Sequence, residues 1–264
     1  MILVTGCAGY LGCEVVRGLL AEEMAVLGVD TLQHGGKGLV PFVHNEDFTF
    51  IRGDIASARL PQAHIEAIIH LAGYRLGNYT RAHADADATQ KVLSLYRPTL
   101  FASSCSIYGA PSPYSESKSV QEEWVLHDGR NTAFRFGTLC GPSANMREDT
   151  FVNEMTLRAF RGIKLDVYQP NAMRPYLHVQ DAAAAVVEWV LNERKPGAFN
   201  VVAENLSKSD IVTMIQQRCP DTRVEYIEQG DPRNYTAESQ INGWEMFRIA
   251  DAIDHIIEAE TLCL

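Results

Sequence analysis

Ile2-Leu3-Val4-Thr5-Gly6-Cys7-Ala8-Gly9-Tyr10-Leu11-Gly12 opens the chain and decides how the rest is read. Ile2 to Thr5 is a short apolar run of the kind that forms a buried parallel strand, and it stops at a glycine turn. A helical period starts at once, with Leu11, Val15, Val16, Leu19 and Leu20 on one face. Gly6 permits the tight turn, Gly9 lets the backbone approach a pyrophosphate, and Gly12 lets the helix sit close against the strand. The first helical residues, Tyr10 and Leu11, then lie where free N–H groups and a positive dipole end meet phosphates. A second strand over Ala25 to Val29 ends in Asp30, 18 residues beyond Gly12. A carboxylate there receives ribose hydroxyls and repels a 2′-phosphate, so the stretch predicts a dinucleotide site that prefers NAD to NADP. The spacing is Gly-x-x-Gly-x-x-Gly rather than the Gly-x-Gly-x-x-Gly of the common dehydrogenase fingerprint.

Composition bounds the function. At 264 residues the chain can bury a large core, and 46% hydrophobic with 21% charged residues is ordinary for a globular protein. A formal charge of −10 argues against nucleic-acid or anionic-membrane partners. The longest apolar stretch, Ala182 to Val190, is interrupted by Glu188 and is too short to span a bilayer. The sequence begins directly with a strand, leaving no room for a signal peptide, and the expected location is cytoplasmic. Six cysteines (Cys7, Cys13, Cys105, Cys140, Cys219 and Cys263) show no Cys-x-x-Cys spacing, and the eight histidines are dispersed. Reduced, packed thiols and no metal site are expected.

Strands and helices alternate through the first half. Thr31 to Asn45 is polar and glycine-rich and reads as a loop. Strands are expected at Phe48 to Ile51, Ala67 to Gly73, Thr99 to Ser104 and Ala133 to Phe136, with helices at Thr80 to Tyr96 and Ser115 to His127. That order predicts an α/β fold, a Rossmann-type doubly wound parallel sheet. Beyond Cys140-Gly141-Pro142 the texture becomes more polar, with helices expected at Thr150 to Arg161, Val179 to Leu191 and Ser209 to Arg218. Short strands are expected at Leu165 to Tyr168 and Phe199 to Val202. The division is a dinucleotide-binding domain over 1–142 and a small substrate-binding lobe over 143–264. Segments near 178–202 return to the first domain.

Tyr114-Ser115-Glu116-Ser117-Lys118 places a tyrosine and a lysine at i and i+4 on one helical face. A tyrosine with its ordinary pKa near 10 is a poor base at neutral pH, and an ammonium one turn away favours the phenolate. Tyr114 can then exchange a proton with a substrate hydroxyl while hydride passes to or from the cofactor. Ser104, at the carboxyl end of a strand, is placed to hydrogen-bond the same oxygen.

The ordered motifs resemble the extended short-chain dehydrogenase/reductases of the NAD-dependent epimerase/dehydratase family, which act on nucleotide-diphosphate sugars. The matching pieces are Thr5 to Gly12, Gly53-Asp54-Ile55, His70-Leu71-Ala72-Gly73 and Ser103-Ser104-Cys105-Ser106-Ile107-Tyr108-Gly109. They continue with Tyr114 to Lys118, Arg135 to Pro142, Arg174 to Val179 and Asp231-Pro232-Arg233-Asn234-Tyr235. The resemblance implies that Asp54 and Ile55 flank the adenine and that Leu71, Ala72 and Gly73 line the cofactor. It implies that Ser104, Tyr114 and Lys118 carry the chemistry, with Tyr114 and Lys118 also touching the cofactor. It places Arg147 and Asn153 in the loop and helix start that hold the sugar nucleotide, and Arg174 and Arg233 at its phosphates.

Four departures stand out. Only Ala110 to Pro113 separate Gly109 from Tyr114, where relatives carry a longer loop. Tyr168 to Met173 lacks the usual glycine-rich turn. Asp85 stands where the helix commonly carries an asparagine. Cys105-Ser106 replaces the Asp-Glu pair of sugar 4,6-dehydratases, which disfavours dehydration. The first functional reading is therefore a nucleotide-sugar epimerase working by transient oxidation with NAD. The alternatives are an NAD(P)H-dependent ketoreductase of a nucleotide keto-sugar and a non-catalytic dinucleotide-sensing regulatory protein. The resemblance further implies a homodimer through a four-helix bundle, with Leu93, Trp124 and Val125 as candidate contacts.

Overall fold

The computed structural model describes residues 1–61, 64–73, 79–192, 194–229, 233–241 and 243–262, with the side chains of 79–84 left aside. Asp231 and Pro232 of the last motif, and Cys263, lie outside the described residues.

Seven parallel strands form the central sheet: β1 (Ile2–Thr5), β2 (Val26–Asp30), β3 (Phe48–Arg52), β4 (Ala67–His70), β5 (Thr99–Ser104), β6 (Thr132–Phe136) and a late strand, Gly197–Val201. Their spatial order runs from that late strand through β6, β5, β4 and β1 to β2 and β3. β1 and β4 are buried along their whole length, as expected for strands covered on both faces. The order reverses beside β1, which opens a crevice at the carboxyl ends of β1 and β4.

Helices cover both faces. On one, α1 (Tyr10–Ala21) lies against a later helix, Val179–Leu191, and the shared core includes Val15, Leu19, Ala182 and Val186. On the other, α2 (Tyr79–Leu93) packs beside α3 (Pro113–Leu126). The segment read as a loop, 31–45, contains a 3₁₀ turn over Lys37–Phe42 whose Leu39 is buried against the main core. One apolar anchor inside a polar stretch is invisible to periodicity.

After β7 (Thr138–Cys140) the chain builds a second layer from α4 (Phe151–Phe160), β8 (Leu165–Tyr168) and β9 (Met173–His178). α5 (Val179–Leu191) and β10 (Gly197–Val201) then rejoin the main body, β10 pairing parallel to β6. The buried indole of Trp189 donates to Thr132 Oγ1 at 2.9 Å and ties α5 to β6. β11 (Glu204–Ser207), α6 (Lys208–Arg218), β12 (Val224–Ile227) and α7 (Ile249–Leu262) complete the chain. Two small sheets result, β11-β9-β7 and β12-β8. Their own core joins Val152, Met155, Tyr176, Ile211, Ile249 and Ile253. No helix is expected beyond Arg218, although Ile249, Ala252, Ile253 and Ile256 carry a helical period. Burying each isoleucine contributes about 1.5–3 kcal/mol, enough to fix a helix that would be marginal alone. Among the described residues no helix is long and apolar enough to cross a membrane.

Candidate active site

The crevice beside β1 is shaped by backbone. Gly6 has a left-handed φ of +71°, and a Cβ there would lie 2.8 Å from the Ala72 nitrogen. A Cβ on Gly12 would lie 2.1 Å from the Gly6 carbonyl oxygen, so no larger residue fits where α1 meets the turn. Gly9 caps α1 with extended backbone and no side-chain acceptor. The first N–H groups of the helix therefore remain available to an anion. Asp30 accepts from the Ala8 N–H at 3.0 Å and the Leu32 N–H at 2.8 Å, which fixes its carboxylate at the rim of the turn. The cleft has a volume of about 210 Å³; Gly6, Gly9, Tyr10, Leu11 and Gly12 form its floor, and Asp54, Ile55, Leu71, Ala72 and Gly73 its walls. An uncapped helix end, a carboxylate at one rim and apolar walls between them suit the phosphates, ribose and rings of NAD.

A buried polar chain holds this crevice in register. Thr5 Oγ1 lies 2.7 Å from His70 Nδ1, and His70 Nε2 lies 3.1 Å from Thr89 Oγ1. Thr89 donates its proton to Gln121 Oε1 at 2.7 Å, so its oxygen must accept from His70 Nε2–H. His70 Nδ1 is then an acceptor for the Thr5 hydroxyl, and the Thr5 oxygen accepts the Ala72 N–H at 3.2 Å. Burial, helped by the nearby Lys118 ammonium, pushes the His70 imidazole down to about 3, which keeps this neutral tautomer in place. The chain links the cofactor turn to α3 and is a contribution the sequence motif did not disclose.

The catalytic candidates lie on β5 and on α3, which packs against it. Ser104 closes β5, and its Oγ accepts the Ser106 N–H at 3.1 Å. Ser112 and Ser115 form a reciprocal capping box, and Pro113 occupies the first turn of α3. This self-contained start lets four residues connect Gly109 to Tyr114, which stands half-buried in the first turn. Lys118 is buried, donates to the Ala102 carbonyl at 2.8 Å and lies 4.6 Å above the Phe101 ring. A Cβ on Gly73 would be 3.5 Å from Lys118 Nζ, so the ammonium reaches the cleft wall. Behind it, Glu122 accepts from Ser103 Oγ at 2.5 Å and pairs with Arg135. Arg135 in turn donates to the Tyr108 hydroxyl at 2.7 Å, and Tyr108 donates to Asn200 Oδ1 at 2.8 Å. Burial pushes the Cys105 thiol up to about 12, with Arg135 opposing, and its S–H donates to the Arg135 carbonyl at 3.1 Å.

Two arginines approach from the second layer. Arg174 is buried on β9, Arg233 is exposed, and Arg174 Nε points to the Arg233 carbonyl at 3.5 Å. Tyr235 joins them, its N–H bonded to the Met173 carbonyl at 3.0 Å and its ring packed on Gly109. Burial raises the Tyr235 phenol, while both arginines oppose and Tyr114 adds to the rise. The arginine pair and the first turn of α3 therefore share one region.

Two expected substrate residues sit elsewhere. Asn153 is fully buried, with its side chain bonded to the Gly141 N–H, the Tyr10 hydroxyl and the Arg147 carbonyl at 3.0, 3.2 and 2.8 Å. All its polar atoms are engaged inside the protein, so it braces the loop instead of facing a ligand. Arg147 lines the cofactor cleft beside the glycine turn. Its position follows from the loop's anchorage on α1, which spacing along the chain does not show.

The profile of the NAD-dependent epimerase/dehydratase family matches residues 2–202. The chain belongs to this family. Among the family's members, the UDP-glucose 4-epimerase of Halalkalibacterium halodurans is 24% identical over 92% of this chain and 90% of its own length. A trifunctional UDP-glucose 4,6-dehydratase/UDP-4-keto-6-deoxy-D-glucose 3,5-epimerase/UDP-4-keto-L-rhamnose-reductase of Arabidopsis thaliana is also 24% identical over 92% of this chain, which spans 44% of that enzyme. The UDP-glucuronic acid 4-epimerase of Bacillus cereus, solved with UDP-glucuronic acid and NAD, shares the fold with a TM-score of 0.87 at 18% identity, covering 100% of this chain and 99% of that one. The epimerase/dehydratase family is NAD-dependent, and the crevice beside β1 is the part of this member that suits the cofactor.

Proposed function

We propose that this protein is an NAD-dependent epimerase of a nucleotide-diphosphate sugar, with Tyr114 as the proton-transfer residue. The observation that carries the reading is the position of Lys118: its ammonium is anchored by the Ala102 carbonyl, reaches the cofactor wall at Gly73 and shares a helical face with Tyr114. NAD supplies the hydride acceptor and then the donor. Tyr114 takes the proton of a ring hydroxyl and returns it after the keto-sugar has turned over, so no net redox change results. Ser104 hydrogen-bonds the reacting oxygen, Lys118 faces the cofactor at Gly73 and Arg174 with Arg233 holds the diphosphate. Elimination of water needs an acid and a base beside Ser104. Cys105 and Ser106 stand there, and the Cys105 thiol stays protonated at neutral pH.

The test incubates the purified protein with a panel of UDP- and dTDP-sugars in deuterium oxide and follows ring-proton NMR signals. Interconversion of two epimers without solvent deuterium at the inverted carbon is expected, because the same hydride returns. Stoichiometric NADH consumption with a keto-sugar and no epimer would identify a reductase instead. Binding of NAD with no sugar nucleotide bound would identify a sensor. Assembly as a homodimer through α2 and α3 belongs to the same proposal.

A further inference from the structure

Away from Lys118 behind Gly73, the cofactor cleft is short of positive charge. Asp30, Asp54 and Asp85 all line it, and Arg147 is the only arginine or lysine among its described lining residues. That arginine comes from the loop after β7, and the loop is fastened to the glycine turn and α1 at several points. The Tyr10 hydroxyl donates to the Gly141 carbonyl at 2.5 Å, and Asn145 Nδ2 donates to the Ala8 carbonyl at 2.6 Å. Ser143 Oγ donates to the Tyr10 carbonyl at 3.3 Å, and Asn153 holds the Arg147 carbonyl. The backbone carrying Arg147 is thus fixed over the N-terminus of α1. Its side chain forks onto Asp149, with Nε and the terminal nitrogen 3.0 and 2.9 Å from the two carboxylate oxygens.

We infer that Arg147 is a clamp for the pyrophosphate of the cofactor and that Asp149 is its competitor. The inference rests on the NAD-binding role of the cleft and goes beyond it. A dianionic pyrophosphate at the glycine turn meets N–H groups and a partial dipole charge, which leave much of its charge unmatched. A guanidinium offers two parallel donors to either a carboxylate or a phosphate. Both partners of the Arg147–Asp149 pair are accessible, with 31% and 57% of their side-chain surface exposed. Such a pair is weak and can open when a better anion arrives. The exchange swings the Arg147 side chain from Asp149 to the pyrophosphate while the anchored backbone of the loop stays in place.

The test uses calorimetry of the cofactor-stripped protein with NAD, ADP and adenosine. Arg147→Met should weaken NAD and ADP by about 10- to 100-fold and leave adenosine unchanged. Asp149→Asn breaks the same ion pair yet should tighten NAD and ADP by about two- to fivefold. Arg147→Lys should fall between wild type and Arg147→Met. Opposite signs for the two partners separate a clamp from a structural salt bridge, whose loss would weaken binding in both variants. Equal weakening in both, or an Arg147→Met protein that binds ADP like the wild type, would overturn the inference. Unchanged adenosine binding shows that the adenine end of the site is folded. If the wild-type protein bound none of the three, the cofactor reading itself would fail instead.

Discussion

Tyr114 stands in the first turn of α3, held by a cap that closes on itself through Ser112 and Ser115. The hydroxyl is the only atom that Tyr114→Phe removes, so folding and NAD binding should persist while turnover falls by about 10²–10⁴-fold. Lys118→Met should lose activity and some NAD affinity together, because the ammonium that reaches Gly73 disappears and the Ala102 carbonyl loses its donor. Ser104→Ala should cost less, since one neutral hydrogen bond goes. Steady-state rates beside NAD titrations check all three, and a Tyr114→Phe enzyme of wild-type rate would refute the mechanism. At the opposite end of the cleft, Asp30 is the proposed determinant of cofactor choice. Asp30→Ala should weaken NAD about tenfold and erase the preference over NADP, as read by calorimetry with both cofactors. Equal affinities in the unaltered protein would sink the assignment.

At the scale of elements, the proposed dimer rests on α2 and α3. Val125 is fully buried with Phe101 and Ala133 and offers no surface to a second chain, whereas half-buried Leu93 packs on that cluster with part of its side chain exposed. One of the three contacts expected from the resemblance, Val125, therefore belongs to the internal core. Val120, 46% exposed, lies one turn from half-buried Trp124 on the outer side of α3. A dimer through this pair of helices uses that side. Val120→Glu should then convert a dimer into monomer in light scattering at micromolar concentration, with the fold retained. A wild-type protein that scatters as a monomer would end the proposal. The second half of α3 shows the same dependence on neighbours, because Glu122 bonds to Ser103 of β5 and pairs with Arg135 of β6.

Across the whole molecule, two fully buried histidines tie distant parts of the chain together. His70 joins β4 to α2, and His178 caps α5 while meeting His255 of α7 at 3.3 Å. Burial pushes His178 down to about 4, with His255 adding to the effect and Asp251 opposing it, and His70 lies at about 3. Each folded value is below the ordinary value near 6.5, so the unfolded chain binds the proton first. Their contribution is complete above about pH 6.5 and is lost as pH falls towards the folded values. Unfolding free energy should drop by roughly 1 kcal/mol per histidine between pH 7.5 and 5.5. Urea titrations at the two pH values check this, and His178→Gln should flatten the dependence. A stability that does not change over this interval would contradict it.

The opening glycines, the strand-helix alternation and the Tyr114–Lys118 spacing were legible because each is a local rule. Turn geometry, burial on both faces and an i, i+4 pair follow from adjacent residues alone, and they determined the sheet and the cofactor crevice. The second layer was harder to read, since β7, β9, β11 and β12 are three to six residues long and gain their stability from partners distant in sequence. Only the tertiary structure decided that Arg147 belongs to the cofactor cleft, that Asn153 is a buried brace and that Val125 faces inward. Each outcome depends on which surface a loop or helix is pressed against, and for Arg147 and Asn153 that is set by contacts between residues more than a hundred positions apart, such as Asn145 with Ala8 and Asn153 with Tyr10.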